Sequence, residues 1–341
     1  MTLEILDAGV QTTVQDYPGR VGLQAKGVFP AGPVDNLAFR IANVLVGNEP
    51  GAAGLEIATG RFGARVHRHT VLALTGADGT NPQLNGAPVP LWEGIEVRPG
   101  DVLTCGTAKG PGFRLYLAVA GGIDVPEVLG SRALHTAGGI GGLEGRALIR
   151  GDVLPTGPAT GTRLRLPQAL RPAYHRHWEL EVVRGPHASS EFLTEGDWRD
   201  FVSLPWRVNL NSDRLAVLLN PHRFTWARTD GGVAGDHPSN VLDGSFPVGG
   251  VIVNGDVPTI LGPDGATSGG FTVIATIARA SLWKVGQLRP GQDTVRFREI
   301  GVPEAHELAQ HVEFALDSRH LERLSSAPAR LSAPPAPRAW G

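Results

Sequence analysis

The sequence of 341 residues contains one cysteine, one methionine and three lysines. Cys105 alone excludes an intrachain disulfide and a thiolate metal cluster, and it favours a reducing compartment. The net charge of −2 disfavours a dedicated nucleic-acid-binding protein, since that class normally carries a basic excess. No apolar run approaches the roughly 18 residues that span a bilayer. The opening MTLEILDAGV has no basic segment before an apolar stretch, so we expect a cytoplasmic protein without membrane contact.

Two common catalytic motifs are also missing from the sequence. There is no G-x-x-x-x-G-K-[ST] loop, so we expect no P-loop for ATP phosphates in this chain. No G-x-S-x-G nucleophile elbow occurs either. The pairs His67/His69 and His175/His177 lie at i, i+2, but neither has a third ligand at motif spacing, and no metal site is predicted. Any catalysis must therefore depend on carboxylates, arginines, histidines and backbone amides.

Glycine and proline are abundant, with 46 and 27 residues. This frequency of chain-breaking residues predicts a mainly β protein with many short elements and tight turns. Short β-branched or aromatic runs predict strands at 70–77, 112–122, 207–210, 249–261 and 271–277. Helices are predicted at 33–48, where Asp35 is the cap candidate, at 303–324 and, in shorter form, at 189–202.

The length of the chain predicts two domains. A segment rich in proline, glycine and arginine lies near the middle and has no clear periodicity, which is typical of a linker. The last residues combine proline and alanine without a packing pattern, and we expect them to be disordered. The predicted division is a first domain at 1–160, a linker at 161–178, a second domain at 179–324 and a tail at 325–341.

A glycine-rich run, TAGGIGGLEGR at 136–146, is the most suggestive loop in the sequence. Successive glycine amides can form an anion-binding nest, and Arg146 could add a bidentate clamp for a carboxylate or phosphate. The nest would use the amides of Gly138, Gly139, Gly141 and Gly142. The alternative is a tight loop in which these glycines only supply positive φ angles.

Three further polar motifs could carry chemistry or simply build turns. GPDGATSGGF places Asp264 beside a glycine pair, and QTTVQDYPGR contains Asp16 near a turn. NSDRL supplies the adjacent charges Asp213 and Arg214, for which a structural ion pair is the simpler interpretation.

Several of these motifs occur together in one order: GVQTTVQDYPGR, GVFPAGPVDNLAFRIANVLVGN, LEIATG, YLAVAGGIDVPEVLGSRA, GGLEGRALIRGD, NSDRL and PDGATSGGF. This order resembles the family once labelled allophanate hydrolase subunit 2. That family includes the C subunit of 5-oxoprolinase, the kinase-inhibitor antagonist proteins and part of the carboxyltransferase region of urea carboxylase.

The resemblance implies two cyclophilin-like β-barrel domains and a partner with the same type of barrel, similar to the B subunit of 5-oxoprolinase. The leading hypothesis is a subunit, inactive alone, of an ATP-dependent hydrolase that converts 5-oxo-L-proline to glutamate, with ATP acting at the level of a complex that includes a third subunit. The alternatives are a carboxyltransferase subunit that accepts carboxybiotin, and a regulatory protein that binds a kinase-inhibitor-type barrel partner.

The charged residues on these motifs form the candidate site. Asp264, Asp35 and Asp16 are the catalytic candidates, with Asp264 preferred as the acid–base group. Arg146 and the Gly138–Gly142 amides, together with Asp213 and Arg214, are the candidates for binding a small-molecule substrate. We expect several of these residues to meet in one cleft.

Overall fold

A computed structural model describes residues 2–58, 60–158 and 161–325. Within these residues the protein has 21 strands and four α-helices, which confirms the mainly β prediction. None of the described helices is long and apolar enough to cross a membrane. The prediction for the tail concerns residues that, apart from Ser325, lie outside the described ranges.

Short strands account for most of the regular structure. In chain order they are β1 (Leu3–Asp7), β2 (Thr12–Gln15), β3 (Gly54–Ile57), β4 (Phe62–Val66), β5 (Thr70–Gly76), β6 (Gln83–Leu84), β7 (Ala87–Pro88), β8 (Gly94–Val97), β9 (Val102–Cys105), β10 (Leu115–Val119), β11 (Val153–Leu154), β12 (Leu164–Arg165), β13 (His177–Arg184), β14 (Trp206–Arg207), β15 (Ala216–Leu218), β16 (Asn240–Ser245), β17 (Gly250–Asn254), β18 (Val257–Leu261), β19 (Ser268–Ile277), β20 (Thr294–Glu299) and β21 (Glu322–Arg323). The helices are α1 (Asn36–Leu45), α2 (Glu195–Ser203), α3 (Leu282–Val285) and α4 (Val302–Leu316).

The strands form three large sheets. A six-stranded sheet has the order β11-β1-β4-β9-β6-β7, and a five-stranded sheet has the order β2-β3-β10-β5-β8. The third sheet has the order β14-β20-β13-β19-β17-β18-β15, and β16 pairs with β19 beside it. Each large sheet lies wholly before residue 155 or wholly after residue 176. We call the part of the chain before residue 155 the first half and the part after residue 176 the second half. The division into domains at 1–160 and 179–324 stays a prediction.

Side chains on the two faces of β5 and β10 pack into two different hydrophobic clusters, one of which connects the two halves. Leu72 and Leu74 on β5 enter a core cluster inside the first half, whereas Val71 and Ala73 face the opposite way. Successive side chains of a strand point to opposite faces of its sheet. That second face packs against α1 in a larger cluster that continues into the second half. Helix α1 is therefore an apolar layer between the halves.

Helix α1 begins where the sequence predicts. The carboxylate of Asp35 accepts a hydrogen bond from the amide of Ala38 at 2.9 Å, as an N-cap should. The short helix predicted at 189–202 is α2, and it starts with a capping box between Thr194 and Asp197.

Other predicted boundaries were wrong, and long-range contacts explain the differences. The helix predicted at 303–324 ends at Leu316, because β21 beyond it pairs with β12 in the segment between the halves. The run at 249–261 is a hairpin of β17 and β18 rather than one strand. The segment proposed as a linker also contributes buried side chains, namely Leu164, Leu166 and Tyr174.

Candidate functional site

A groove of about 260 Å³ runs between the two halves. Its walls are mostly apolar, and they come from the turn at 17–36 in the first half and from residues around 247, 263 and 282 in the second. Arg279 is the charged residue among those lining the groove. It is exposed, and its Nη2 donates to the Tyr17 hydroxyl at 3.0 Å. That hydrogen bond raises the pKa of Arg279, so the guanidinium stays charged.

The segment Ala31–Asp35 forms one edge of this groove, and all of its backbone amides are hydrogen-bonded. Proline at position 33 has none to donate. The four acceptors are the carbonyl of Pro263 at 3.0 Å, the Gln15 side chain at 3.0 Å, the Glu56 carboxylate at 2.9 Å and the Tyr116 hydroxyl at 2.8 Å. The segment is therefore held by both halves of the molecule.

A buried ion cluster lies directly behind this segment. Arg214 is 3% exposed and donates to both oxygens of Asp264, at 2.9 and 3.0 Å. The same guanidinium contacts the Glu56 carboxylate and donates to the carbonyl of Gly32 at 2.8 Å. Glu56 also lies 3.4 Å from Arg114. The cluster thus links Glu56 and Gly32 in the first half to Arg214 and Asp264 in the second.

The charges in this cluster stabilise one another against the cost of burial. Burial alone raises the pKa of Glu56, but the charges of Arg214 and Arg114 outweigh it, and the resulting pKa lies below its usual value. Burial likewise lowers the pKa of Arg214, and the carboxylates of Asp264 and Glu56 more than reverse this shift. The cluster therefore holds its ionised form.

Asp35 is placed differently, although it lies close to the cluster. It is fully buried, and burial raises its pKa to about 7 despite hydrogen bonds from Ala38, Gln287 and Tyr174. The nearby carboxylate of Glu56 adds to the increase. No arginine is bonded to Asp35 among the described residues, which is why its pKa moves in the opposite direction from that of Glu56.

The preferred catalytic candidate, Asp264, faces the interior of the protein. Its side chain is 1% exposed and both oxygens contact Arg214. The adjoining turn is tight, since a Cβ atom on Gly262 would lie 2.0 Å from the carbonyl oxygen of Arg214. Asp264 fixes the position of Pro263 at the groove rather than contacting the groove itself. A role for Asp264 in acid–base catalysis stays a prediction.

The third catalytic candidate, Asp16, holds a neighbouring turn. Its carboxylate accepts from the Ser131 hydroxyl and from the amide of Arg132, both at 2.6 Å. Arg20, which is 1% exposed, donates to the carbonyls of Val128 and Ser131 in the same turn. Asp16 therefore has a structural partner at each carboxylate oxygen.

In the glycine-rich loop, two of the amides predicted to bind an anion are hydrogen-bonded within the protein. The amide of Gly138 donates to His135, and the amide of Gly142 donates to the carbonyl of Arg132. Gly139, like Gly141 and Gly142, has a positive φ angle, in agreement with the turn-building alternative. The loop approaches the ion cluster through His135, whose Nε2 lies 3.4 Å from the carbonyl oxygen of Asp264.

Arg146 and Asp213 are separate from this cluster. Arg146 forms a bidentate pair with Asp152, at 2.8 and 2.9 Å, and a further contact with Glu144. Asp213 is exposed and caps its own turn through the amides of Leu215 and Ala216. Among the predicted residues, the structure brings together Arg214, Asp264 and Asp35, and it leaves Arg146 and Asp213 in other contacts.

Sequence reasoning missed Glu56 and Arg279. Glu56 lies in the LEIATG motif on a buried strand. An acidic residue within an apolar strand could have indicated a buried partner charge. Arg279 had no local signal, because its partner Tyr17 is 262 residues away.

Replacing Arg214 tests the ion cluster. We expect Arg214→Met to reduce the free energy of unfolding by about 3–5 kcal/mol, because Asp264 would lose the guanidinium that contacts both of its oxygens and Glu56 would keep only Arg114. The matched control is Arg146→Met, which removes a guanidinium that is 36% exposed, against 3% for Arg214, and should change the denaturation midpoint far less. Urea denaturation measures both variants. Equal effects would contradict the claim that the Arg214 cluster is the stronger constraint.

The raised pKa of Asp35 predicts a specific pH dependence. The folded protein binds this proton more tightly than the unfolded chain does, so the stability from Asp35 is complete below about pH 4 and is lost as the pH rises to about 7. Compared with Asp35→Asn, the wild type should lose on the order of 4 kcal/mol over that range. Denaturation curves of both proteins at several pH values measure this. Parallel pH profiles would contradict the shift.

Comparison with known proteins supports a family assignment. The chain is 38% identical over 335 residues to urea amidolyase of Saccharomyces cerevisiae, which covers 95% of this chain and 18% of that protein. It is 33% identical to the C subunit of 5-oxoprolinase from Escherichia coli, over 95% of this chain and 97% of that one. The chain thus spans less than a fifth of the yeast relative and nearly all of the bacterial one.

A solved structure supports the same family assignment. The urea carboxylase of Kluyveromyces lactis superposes with a TM-score of 0.89 at 39% identity, over 95% of this chain and 30% of that one. The model of the carboxyltransferase domain, subdomains A and B, matches residues 26–299. The chain belongs to this carboxyltransferase domain family.

Proposed function

We propose that this protein transfers a carboxyl group from a carboxylated biotin, carried on another polypeptide, to an amide nitrogen of a small molecule. The observation that carries the proposal is the groove between the halves, with its apolar walls and the exposed guanidinium of Arg279. The 38% identity to urea amidolyase over most of the chain favours this function over the 5-oxoprolinase hypothesis.

The residues of the groove fit a carboxylated ring. Its walls are formed largely by side chains without polar atoms, namely Pro18, Val21, Pro30, Pro247, Val248, Pro263 and Leu282. Such a surface suits the apolar faces of a fused ring. When bound there, a carboxylated biotin supplies an activated carboxyl group. Arg279 would hold that carboxylate by charge-assisted hydrogen bonds, for which a guanidinium is well shaped.

Tyr17 would orient Arg279 for this task. Its hydroxyl accepts from Arg279, and the guanidinium of Arg40 lies 4.8 Å from the centroid of its ring. Arg40 is in turn held by Glu313 on α4. Tyr17 and Arg40 are therefore positioning residues in this proposal, and Arg279 is the residue that contacts the donor.

A label-transfer assay tests the proposal. A biotin carrier protein is carboxylated with radiolabelled bicarbonate, separated from its carboxylase and mixed with this chain and urea as a first acceptor. We expect label to move to the acceptor faster than it is lost to buffer. Arg279→Gln should raise the KM for the carrier by about 10- to 100-fold, which corresponds to the loss of a hydrogen bond to a charged group.

Two variants control this measurement. Arg296→Gln removes an exposed arginine on β20 that does not line the groove, and its transfer rate should equal that of the wild type. Arg279→Lys keeps the charge and should retain part of the activity. No transfer by the wild type, or equal transfer by the Arg279→Gln variant, would contradict the proposal.

A second function is favoured by the end-to-end match with the bacterial 5-oxoprolinase relative. In that case the chain would be one subunit of an ATP-dependent lactam hydrolase, and a homologous barrel subunit and a third subunit would complete the enzyme. The purified chain alone should then show no ATP-dependent opening of 5-oxoproline, whereas addition of both partner subunits should produce glutamate. Turnover by the isolated chain would contradict the subunit hypothesis.

A further inference from the structure

A second cavity adjoins the groove, and its lining has a different character. It has a volume of about 570 Å³ and shares Gln24 and Pro247 with the groove. Its polar lining consists of the Gln24 amide and four hydroxyl groups, those of Ser245, Thr267, Ser268 and Thr276. We call this cavity the hydroxyl pocket. It is formed by strand β19, the end of β16 and the turn at 24–27.

The polar side chains of the hydroxyl pocket have unused hydrogen-bonding capacity. Gln24, Ser245 and Ser268 are exposed, and Thr267 and Thr276 are half-buried. Within the part of the chain that the structure describes, these side chains form no hydrogen bond to other residues, so they can bind water or a ligand. Some hydroxyls elsewhere are engaged, since Ser131 donates to Asp16 and Ser281 donates to Glu181, whereas that of Thr70 is buried without a partner. A hydroxyl both donates and accepts, so the pocket offers both kinds of partner to a ligand.

Charge is absent from the lining of this pocket. None of its described lining residues is an aspartate, glutamate, lysine, arginine or histidine, whereas the adjoining groove presents Arg279. The lining offers a charged ligand no counter-charge, whereas its hydroxyls can satisfy the donors and acceptors of an uncharged polar ligand. The pocket therefore favours an uncharged molecule, and it disfavours 5-oxoproline, whose carboxyl group is ionised at neutral pH.

The volume indicates the size of ligand that would fill the pocket. About 570 Å³ lies within the range of pockets that bind small molecules. Urea by itself would fill a small part of this space and would reach few of the five polar side chains at once. A ligand that uses them together needs a polar substituent beyond a single amide group.

From these observations we propose that the hydroxyl pocket binds the carboxyl acceptor, and that the acceptor is an uncharged amide or urea derivative with a polar substituent. This assignment rests on the proposed carboxyl transfer. In that step the acceptor nitrogen forms a bond to the carboxyl carbon while the bond from that carbon to the donor nitrogen breaks. The proton displaced from the acceptor ends on the donor nitrogen.

Calorimetric titration with 2-hydroxyethylurea, urea and 5-oxoprolinate tests the assignment. We expect 2-hydroxyethylurea to bind at least about tenfold more tightly than urea, since two further hydrogen bonds are available to it. Thr267→Val and Thr276→Val each remove one hydroxyl at nearly constant shape and should weaken this binding by about tenfold. Thr70→Val, at a buried hydroxyl away from the pocket, is the matched control and should bind normally.

The outcomes separate this inference from the proposed function. Arg279→Gln should bind 2-hydroxyethylurea like the wild type while showing the raised KM for the carrier in label transfer. If the probe binds as expected and no variant or wild type transfers label, the ligand class is upheld and carboxyl transfer is contradicted. Tighter binding of 5-oxoprolinate than of 2-hydroxyethylurea, or binding by the two valine variants equal to that of the wild type, would overturn the assignment of the pocket.

Discussion

The arrangement of the site depends on the buried ion cluster around Arg214. A buried guanidinium is stable only when its hydrogen bonds are satisfied and its charge is balanced, and Arg214 meets both conditions through Asp264, Glu56 and the carbonyl of Gly32. Because these partners come from both halves, the two halves have one relative position in which the charges are all paired. The apolar layer around α1 supplies cohesion between the halves, while the ion cluster supplies a defined geometry.

This geometry divides the residues into two groups. The charges behind the groove, such as Asp264 and Glu56, hold the backbone of the segment Ala31–Asp35 and of the turn at Pro263. The side chains that a ligand can reach are different ones, chiefly Arg279 in the groove and the hydroxyls of the adjoining pocket. A buried charge network beneath a largely apolar groove therefore preorganises the surface that the proposed function assigns to the ligand.

Local signals in the sequence were sufficient for some of these features. The cap at Asp35 and the apolar spacing after it predicted α1 correctly, since both act within a few residues. The motifs carried by the family resemblance led to Arg214 and Asp264, which do meet. Pairing between distant residues could not be predicted from the sequence. The last helix ends early because β21 pairs with β12, and the groove includes Arg279 hydrogen-bonded to the distant Tyr17. The guanidinium of Arg146 could bind an anion bidentately, as predicted, but it is paired with the carboxylate of Asp152 six residues later.

The ion cluster fixes the segment Ala31–Asp35 beside the groove, and hydrogen–deuterium exchange of its amides tests this. In the wild type, the amides of Ala31, Gly32, Val34 and Asp35 should exchange as slowly as those of buried strands. Glu56→Gln removes the charge that pairs with Arg214, so exchange in this segment should accelerate by at least about tenfold, while helix α2 keeps its wild-type rate. An unchanged rate in 31–35, together with normal folding of the variant, would show that the ion cluster does not hold this segment.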